Sequence, residues 1–222
     1  MVPYPDELKY SFRTERLVLR ALEDTEVDRN FVFEFMNDPV TVAIGSPFLL
    51  QPVSSGDFGS FKEFAKSTHM LSVACLPPFI KDENGQDTDK RVPPRDVTTL
   101  QARDLSPIGI VTIMGKSDDP RHRRASLGIG LLERFTGRGY GGEMIDWALD
   151  WAFQWKNMHR ISLLVFGNNV NALKLYRKMG FVEEGTDREG MIYNNEWIDM
   201  IRFSMLEQEW QKLRGLRKSE KS

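Results

Sequence analysis

Four glycines within six positions form the clearest chemical signal in this chain. They lie in Gly137-Arg138-Gly139-Tyr140-Gly141-Gly142, between an apolar run at 127–132 and an apolar-rich segment at 144–155. That order predicts a strand, a glycine-rich turn and a helix. Glycine adopts positive φ without a Cβ clash, and the first amides of a helix have no partner inside the helix. The stretch therefore predicts an anion site in which backbone amides hold a phosphate.

Two nucleotide-binding patterns can be compared with this stretch. The glycines satisfy the dinucleotide pattern G-x-G-x-x-G, but that fold also needs a carboxylate at the end of the next strand to hold a ribose. The next apolar strand ends in Phe166-Gly167-Asn168-Asn169, without a carboxylate. A Walker loop is excluded because no Gly-Lys-Ser/Thr follows the glycines. A dinucleotide ligand is therefore disfavoured, and a Walker-type nucleotide site is removed.

The elements that must position the glycines can be predicted from hydrophobic periodicity. Alternation at 16–20 predicts an opening strand with Arg16 and Arg20 on its solvent face. Residues 25–36 have helical spacing, with Thr25 as the N-cap. Further strands are predicted at 70–76, 108–114, 125–132, 161–166 and 197–205, with another starting at 181–182. Further helices are predicted at 61–67, 144–155 and 170–179, the last capped by Gly180.

The remaining segments have the composition of loops. Residues 40–60 contain several Gly, Pro and Ser residues and predict a loop with at most one helical turn. Residues 81–104 are polar and predict a long, mobile hairpin loop, while 118–124 predict a turn. We expect an N-terminal arm at 1–13, a single domain at 14–206, and a polar tail at 207–222 that begins as a frayed helix.

Composition limits the function classes. The 222 residues are 41% hydrophobic and 28% charged, as in an ordinary globular protein, and the net charge of −2 gives no general attraction to nucleic acid or anionic membranes. The single cysteine, Cys75, is predicted to be a small buried hydrophobe. The N-terminus lacks a signal-peptide pattern, and no apolar run reaches the ~18 residues that span a bilayer. We expect a cytoplasmic monomer or homodimer without nucleic-acid or membrane partners.

Several separated motifs together resemble one family. From residue 14 to 205 the chain is similar to the GNAT superfamily of acetyl-CoA-dependent N-acyltransferases, and most similar to the branch that acetylates ribosomal-protein N-termini, polyamines and small amines. The motifs that carry the resemblance are Thr14-Glu15-Arg16-Leu17-Val18-Leu19-Arg20, Ile108-Gly109-Ile110-Val111, Gly137-Arg138-Gly139-Tyr140-Gly141 with Glu143, and Asn169, Ala172, Leu175-Tyr176 and Gly180-Phe181.

The chain also departs from the family pattern at three places. Thr136 stands where the family's loop usually begins with Gln or Arg, and Ser126 stands where a glutamate base is common. The segment 81–104 is longer than the family usually has there. The first departure removes one side-chain contact but leaves the backbone amides, while the second removes the expected base.

The resemblance implies an α/β (α+β) fold, with a twisted mixed sheet and helices on both faces. The central strands 125–132 and 161–166 would splay apart and admit the pantetheine arm of acetyl-CoA, the co-substrate. Amides of 137–142 would bind the pyrophosphate. Other implied cofactor contacts are the backbone of Ile129, Gly130 and Leu131, the charges of Arg138 and Lys174, and the side chains of Asn169 and Asn171. Helix capping by the two asparagines, and solvated positions for the two cations, are the alternatives.

The resemblance also implies direct attack of a primary amine on the thioester. Glu133 is the candidate general base, with a plain surface carboxylate as its alternative. Tyr176 is the candidate general acid, because a phenol pKa of about 10 keeps it protonated near neutral pH; a core position is its alternative. No histidine has a partner at metal-ligand spacing, so no metal is expected.

Two functions follow as hypotheses. The first is an acetyl-CoA-dependent N-acetyltransferase acting on a small molecule, a polyamine or a peptide N-terminus. The second, prompted by Ser126, is a non-catalytic domain that binds or senses acetyl-CoA. We expect the acceptor to lie among 45–61 and 81–104, where the mixed charge selects no amine class.

Overall fold

A seven-stranded mixed sheet organises the chain. The computed structural model describes residues 6–45, 50–103, 105–115 and 121–216. The strands are β1 (Val18–Arg20), β2 (Met70–Cys75), β3 (Phe79–Lys81), β4 (Asp87–Arg91), β5 (Pro107–Met114), β6 (Arg124–Leu131), β7 (Arg160–Phe166), β8 (Val182–Tyr193) and β9 (Glu196–Leu206). The main sheet has the order β1-β2-β5-β6-β7-β9-β8, and β3 and β4 form a separate hairpin.

Seven α-helices accompany the sheet in the described ranges. They are α1 (Glu26–Asn37), α2 (Pro39–Gly45), α3 (Phe58–Lys66), α4 (Thr99–Ala102), α5 (Tyr140–Asp150), α6 (Val170–Lys178) and α7 (Glu207–Leu213). A π-helical turn, Trp151–Trp155, continues α5. The predicted start of α1 is confirmed, because the Asp28 amide donates to Thr25 Oγ1 at 3.2 Å. None of the described helices is long and apolar enough to cross a bilayer.

The predicted splay between the two central strands is confirmed. β6 and β7 run parallel and pair only from Arg124↔Arg160 to Ser126↔Ser162 within the described residues. Beyond that point β6 pairs on its other edge with β5 up to Gly109↔Leu131, and β7 pairs with β9 up to Phe166↔Met200. Each strand is thus held along its length by its outer neighbour, so the edges that face each other across the splay can remain open.

Helices cover both faces of the sheet, as predicted. On one face, Leu127 of β6 and Ile161 of β7 pack with Met144 and Ile145 of α5 in one apolar cluster. A second cluster on the opposite face contains Phe31, Val32 and Phe35 of α1, Phe58 of α3 and Ile110 of β5. The parity of β6 explains this division, since alternate side chains of a strand point to opposite faces. Residues 125, 127, 129 and 131 face α5, whereas 126, 128 and 130 face α1.

The predictions for two loop segments need correction. Residues 39–45 form α2 rather than loop, because Asp38 Oδ1 accepts hydrogen bonds from the amides of Val40 and Thr41 at 3.1 and 3.0 Å and so caps the helix. The segment 81–104 contains the predicted hairpin but continues into α4, whose Ala102 is buried, as is Val97 before it. Because the segment is mostly polar, its composition did not predict that Val97 and Ala102 would be buried.

The C-terminal tail was predicted to fray, and for α7 this is wrong. Trp210 is buried and stacks on Phe153 with ring centroids 5.5 Å apart. Trp210 Nε1 donates to Asp150 Oδ1 at 2.8 Å, and Arg214 binds the same oxygen. A single aromatic anchor therefore docks a short helix whose composition is mostly polar. Residues 217–222 lie outside the described ranges, as do residues 118–120 of the predicted turn at 118–124.

The predicted solvent position of Arg20 is also wrong. Its side chain is 7% exposed and forms two hydrogen bonds to Asp28, whose side chain is 0% exposed. Asp28 also accepts from the amide of Glu23 at 2.6 Å. The opening strand is covered by α1 on the face that the alternation assigned to water, so the charge is buried with a partner. Cys75 is buried as predicted, and burial raises the pKa of its thiol to about 12.

Candidate active site

The glycine loop has the geometry of an anion cradle. Gly137 and Gly139 have φ of 72° and 85°, a region that disfavours side chains, and Gly139 is the N-cap of α5. Around Gly137 an added Cβ would meet no atom within 4 Å. The first amides of the eleven-residue helix α5 therefore follow a loop that is open on its outer side. This arrangement can bind a phosphate through backbone amides, as the sequence predicted.

The segment just before β1 fixes the position of this loop through Glu143. The Glu143 carboxylate accepts from the Arg16 amide at 2.7 Å, from Arg16 Nε at 2.9 Å, and from the Thr14 hydroxyl. Arg16 also donates to the carbonyl of Arg138 at 2.9 Å and lies over the Tyr140 ring. Sequence reasoning missed this positioning role of Arg16. The signal was present, because Thr14, Arg16 and Glu143 all belong to the motifs that carry the family resemblance.

Backbone alternation decides which peptide groups of β6 face the splay. The amide of Leu132, just after β6, donates to the carbonyl of Ile108 in β5 at 3.0 Å. Successive residues of a strand direct their peptide groups to opposite edges, so Ile129 and Leu131 direct theirs toward the splay. The Leu131 carbonyl accepts from the Thr41 hydroxyl at 2.9 Å. The peptide groups of Gly130 point instead to β5, where Gly130 pairs with Ile110. The prediction that the Gly130 peptide pairs with pantetheine therefore does not agree with the strand geometry.

The two glycines of β6 serve the site by lacking side chains. A Cβ on Gly130 would overlap the ring of Phe35, and one on Gly128 would lie 2.5 Å from Thr112 Oγ1. Both positions face α1, where the strand forms one wall of a cavity of about 520 Å³. The cavity is bounded by α1, α2, α3 and residues 51–55, together with β5 and β6. Of the two acceptor segments that the sequence indicated, the first contributes Gly45, 51–55, 57–58 and 60–61 to this cavity, whereas no described residue of 81–104 lines it.

Tyr176 lies in the apolar cluster but retains an accessible hydroxyl. Its ring contacts Phe181 and Phe203 with centroids 5.8 and 6.1 Å apart, and burial raises the pKa of the phenol to about 12. In the described part of the chain, Arg20 Nε is the only fully buried side-chain nitrogen or oxygen without a partner. The Tyr176 hydroxyl, which has no hydrogen-bond partner there, must therefore reach solvent-accessible space. A protonated donor with an open hydroxyl is what a general acid requires.

The other predicted site residues occupy different environments. Asn169 caps α6, since its Oδ1 accepts from the amide of Ala172 at 3.1 Å. The side chains of Arg138, Asn171 and Lys174 are exposed around the same end of the sheet. Helix α6 brings its residues close to the glycine loop, because an added Cβ on Gly141 would lie 3.5 Å from Leu175 Cδ2.

Glu133 is exposed and begins a 3-10 turn at the end of β6. Its amide donates to Asp38 Oδ2 at 3.0 Å, and this bond joins the end of β6 to the junction of α1 and α2. Burial raises the pKa of the Asp38 carboxyl, but the hydrogen bonds from Thr41, Glu133 and Val40 outweigh it and leave the pKa below its usual range. Asp38 is therefore an ionised structural anchor.

A pair of hydroxyls marks the point where the splay begins. Ser126 and Ser162 are the last paired residues of β6 and β7, and their Oγ atoms lie 3.4 Å apart. Ser162 Oγ also donates to the carbonyl of Ala125 at 3.3 Å. Ser126 is the position at which the family resemblance leads one to expect a glutamate. The structure therefore has neutral donors and acceptors here rather than a carboxylate.

Comparison with known proteins agrees with this geometry. The model of the "Acetyltransferase (GNAT) family" matches residues 74–181. An uncharacterized N-acetyltransferase of Bacillus subtilis, YoaA, is 30% identical over 193 residues, which are 87% of this chain and 94% of that protein. The chain belongs to the GNAT family. GNAT acetyltransferases use acetyl-CoA as co-substrate, and the open strand edge and the glycine cradle of this chain fit that molecule.

Other relatives match over shorter lengths. The spermidine N(1)-acetyltransferase of Vibrio cholerae is 35% identical over 89 residues, 40% of this chain and 51% of that protein. The L-amino acid N-acetyltransferase AaaT of Escherichia coli is 32% identical over 92 residues, 41% of this chain and 57% of that one. The chain thus spans about half the length of these relatives.

One solved structure illustrates the shared GNAT fold. It is the crystal structure of spermidine N-acetyltransferase from Vibrio cholerae in complex with CoA and spermine. The superposition covers 88% of this chain and 98% of the chain in that structure, with a TM-score of 0.64 and 23% sequence identity. At that identity the likeness supports the fold.

Proposed function

We propose that this protein is an acetyl-CoA-dependent N-acetyltransferase that acetylates a primary amine by direct attack in a ternary complex. The observation that carries the proposal is the position of β6. One edge of this strand, at Ile129 and Leu131, opens into the splay, while its glycines 128 and 130 line the cavity behind α1. A cofactor arm and an acceptor can therefore meet at one strand without displacing each other.

The cofactor would be held mainly by backbone groups. Peptide groups of Ile129 and Leu131 would pair with the pantetheine amides, and the amides of 137–142 would bind the pyrophosphate. The α5 dipole adds roughly 0.3–1 kcal/mol to such a contact when it is exposed. Arg138 and Lys174 would add positive charge, and Asn169 and Asn171 would contact the arm near the start of α6.

Acetyl-CoA supplies a thioester carbonyl that an amine can attack. In the transfer, the amine nitrogen bonds to the acetyl carbon as the carbon–sulfur bond breaks. The nitrogen of an ammonium loses two protons in all, and the departing thiolate gains one. Glu133 accepts the first through water before the attack, which is needed because an alkyl amine of pKa about 10.4 is mostly protonated at neutral pH. Tyr176 donates a proton from its open hydroxyl to the thiolate, and the second nitrogen proton, lost after the attack, restores the phenol.

A second candidate function rests on the scarcity of carboxylates. Asp57 is the only carboxylate among the described residues that line the cavity. Its Oδ2 already accepts from the amide and hydroxyl of Ser54 at 2.9 and 3.1 Å. With Ser126 where a base is expected, this favours the alternative of a non-catalytic domain that binds acetyl-CoA.

Thiol release from acetyl-CoA across a panel of amines tests the two functions. The panel contains peptide N-termini, polyamines, amino sugars and arylamines. The enzyme hypothesis predicts amine-dependent release of one thiol per acetylated product. Tight CoA binding by calorimetry, without amine-dependent release from any member, would support the non-catalytic alternative. CoA but not NAD should raise the melting temperature, because only a ligand of the native state stabilises it.

A further inference from the structure

The cavity beside β6 has a chemical character that selects among amines. Its described lining is rich in aromatic and thioether side chains from two helices and β5. These include Phe33 and Met36 of α1, Phe58, Phe61 and Phe64 of α3, and Met114 of β5. A volume of about 520 Å³ lies within the range of small-molecule sites, which is ~300–1,000 Å³.

The charges at this cavity are few, and each already has polar partners. Arg29 and Asp57 are the only charged residues of the described lining. Arg29 forms an ion pair with Asp24 at 2.6 Å and lies 5.3 Å from the Phe58 ring centroid. Asp57 accepts from the amide and hydroxyl of Ser54 through Oδ2. The described lining therefore offers an ammonium group a single carboxylate, and one of its two oxygens is already engaged.

This charge pattern separates monoamines from polyamines. An amine that reacts must lose its proton first, so a monoamine brings no lasting charge into the cavity. A polyamine keeps at least one further ammonium group after the reacting nitrogen has lost its proton. An ammonium group among apolar side chains, without a carboxylate partner, loses its hydration and gains little in return.

The lining of the cavity favours an aromatic body for the acceptor. Gly128 and Gly130 let Thr112 and Phe35 pack directly on the β6 backbone, because an added Cβ at either would collide with them. The aromatic side chains of the lining suit a ring, and such contacts prefer offset or edge-to-face packing. Thr112 brings a hydroxyl to the β6 side of the lining, where its Oγ1 donates to the Gly128 carbonyl at 3.4 Å.

We propose that the acceptor of this protein is a primary monoamine with an apolar, ring-sized body, and that the cavity discriminates against polyamines. This inference rests on the proposed acetyltransferase function, whose acceptor site it specifies. The transfer is the one described above, with one proton lost from the amine and one gained by the thiolate.

Two probes of opposite chemistry test the inference: 2-phenylethylamine and spermidine. We expect kcat/KM for phenylethylamine to exceed that for spermidine by at least about tenfold, the factor that ~1.4 kcal/mol gives. Binding of each amine to the CoA-loaded protein, measured by calorimetry, should show the same order. Equal or better kcat/KM and binding for spermidine would overturn the inference.

A charge introduced into the cavity should reverse the preference. Phe33 lines the cavity and is 45% exposed, so Phe33→Asp adds a carboxylate without emptying the core. We expect the phenylethylamine/spermidine ratio to fall by about tenfold or more. The matched control is Leu100→Asp, which adds the same charge at a residue that is 76% exposed and outside the cavity. An unchanged ratio in Phe33→Asp, or an equal change in the control, would contradict the inference.

The binding measurements separate the proposed acetyltransferase function from the proposed acceptor preference. If neither amine releases thiol but phenylethylamine binds the CoA-loaded protein more tightly, the acetyltransferase function fails and the preference of the cavity stands. If other amines are acetylated while phenylethylamine neither binds nor reacts, the function stands and the inference about the acceptor fails.

Discussion

The hydroxyl of Tyr176 offers the sharpest test of the proposed chemistry. Tyr176→Phe removes one oxygen and keeps the ring that packs against Phe181 and Phe203. The hydroxyl has no hydrogen-bond partner within the described residues, so its loss leaves no buried group unpaired. We therefore expect the free energy of unfolding to stay nearly unchanged. Any loss of activity then reports on the reaction and not on the fold.

The expected loss of turnover is large. General acid catalysis contributes about 10²- to 10⁴-fold to a rate. With ~1.36 kcal/mol per factor of ten, the transition state should lose about 2.7–5.4 kcal/mol of stabilisation. The dissociation constant of CoA should not change, because no cofactor-binding role is assigned to this hydroxyl.

The pKa of Tyr176 adds a prediction for the wild-type protein. Burial raises it to about 12, above the ordinary phenol value. The protonated donor therefore persists through the range in which a solvated tyrosine loses its proton, near pH 10. Below about pH 11, deprotonation of Tyr176 should therefore not lower kcat.

Stopped-time thiol-release assays give kcat and KM, while calorimetry gives the CoA dissociation constant and thermal unfolding monitors the fold. Tyr193→Phe, a tyrosine of β8 outside the apolar cluster around Tyr176, is the matched control. Unchanged kcat in Tyr176→Phe would remove this residue from the mechanism. A fall in melting temperature of several degrees would instead assign it to the core, the alternative that its position in the apolar cluster suggests.

Three further changes test other parts of the structure. Asp28→Ala should lower the unfolding free energy by about 3–5 kcal/mol in urea titrations, because it leaves Arg20 buried without its partner. Glu143→Gln should raise KM for acetyl-CoA more than KM for the amine, because the carboxylate that positions the glycine loop loses its charge. Gly130→Ala should raise KM for the amine while leaving CoA affinity unchanged, since the new Cβ overlaps the Phe35 ring and overpacking costs about 1–3 kcal/mol.

One control variant and two contrary outcomes make these three results interpretable. Asp187→Ala breaks an exposed ion pair with Arg202 and should lower the free energy of unfolding by less than ~1 kcal/mol. If Asp28→Ala and Asp187→Ala lowered it by similar amounts, burial of the Arg20–Asp28 pair would not account for the effect of Asp28→Ala. For Glu143→Gln, an unchanged KM for acetyl-CoA would show that the contact with Arg16 does not position the loop. For Gly130→Ala, a loss of CoA affinity equal to the loss of amine affinity would contradict the division between the two sides of β6.

Most of the sheet and the conformation of the glycine loop could be predicted from the sequence because they depend on local patterns. Apolar runs such as 108–114 and 161–166 and the spacing of α6 are readable over a few residues. The Asn194-Asn195 turn likewise signals its own hairpin, and both residues have positive φ in the structure. The glycine loop is equally local, since positive φ at Gly137 and Gly139 is a property of the residues themselves.

The features that were missed depend on contacts between distant segments. The alternation at 16–20 correctly assigned Arg20 to the face opposite Leu19, but only the position of α1 determines that this face is covered. The docking of α7 depends on Trp210 meeting Phe153, 57 positions away in the chain. Composition alone therefore underestimated how much of 207–213 is held to the domain.

The acceptor side illustrates the same limit and explains why the amine class required the structure. Backbone groups of one strand and one loop account for the cofactor side, so a short motif is sufficient to predict it. The acceptor cavity instead combines side chains of α1, α3 and β5, which come together only in the folded chain. Its decisive property is that Asp57 is the one carboxylate of its described lining, and that this carboxylate already accepts from Ser54. The sequence shows Asp57 as the only charged residue of 45–61 but cannot show that the folded cavity gains no second carboxylate. This scarcity of carboxylates favours an amine with no second charge.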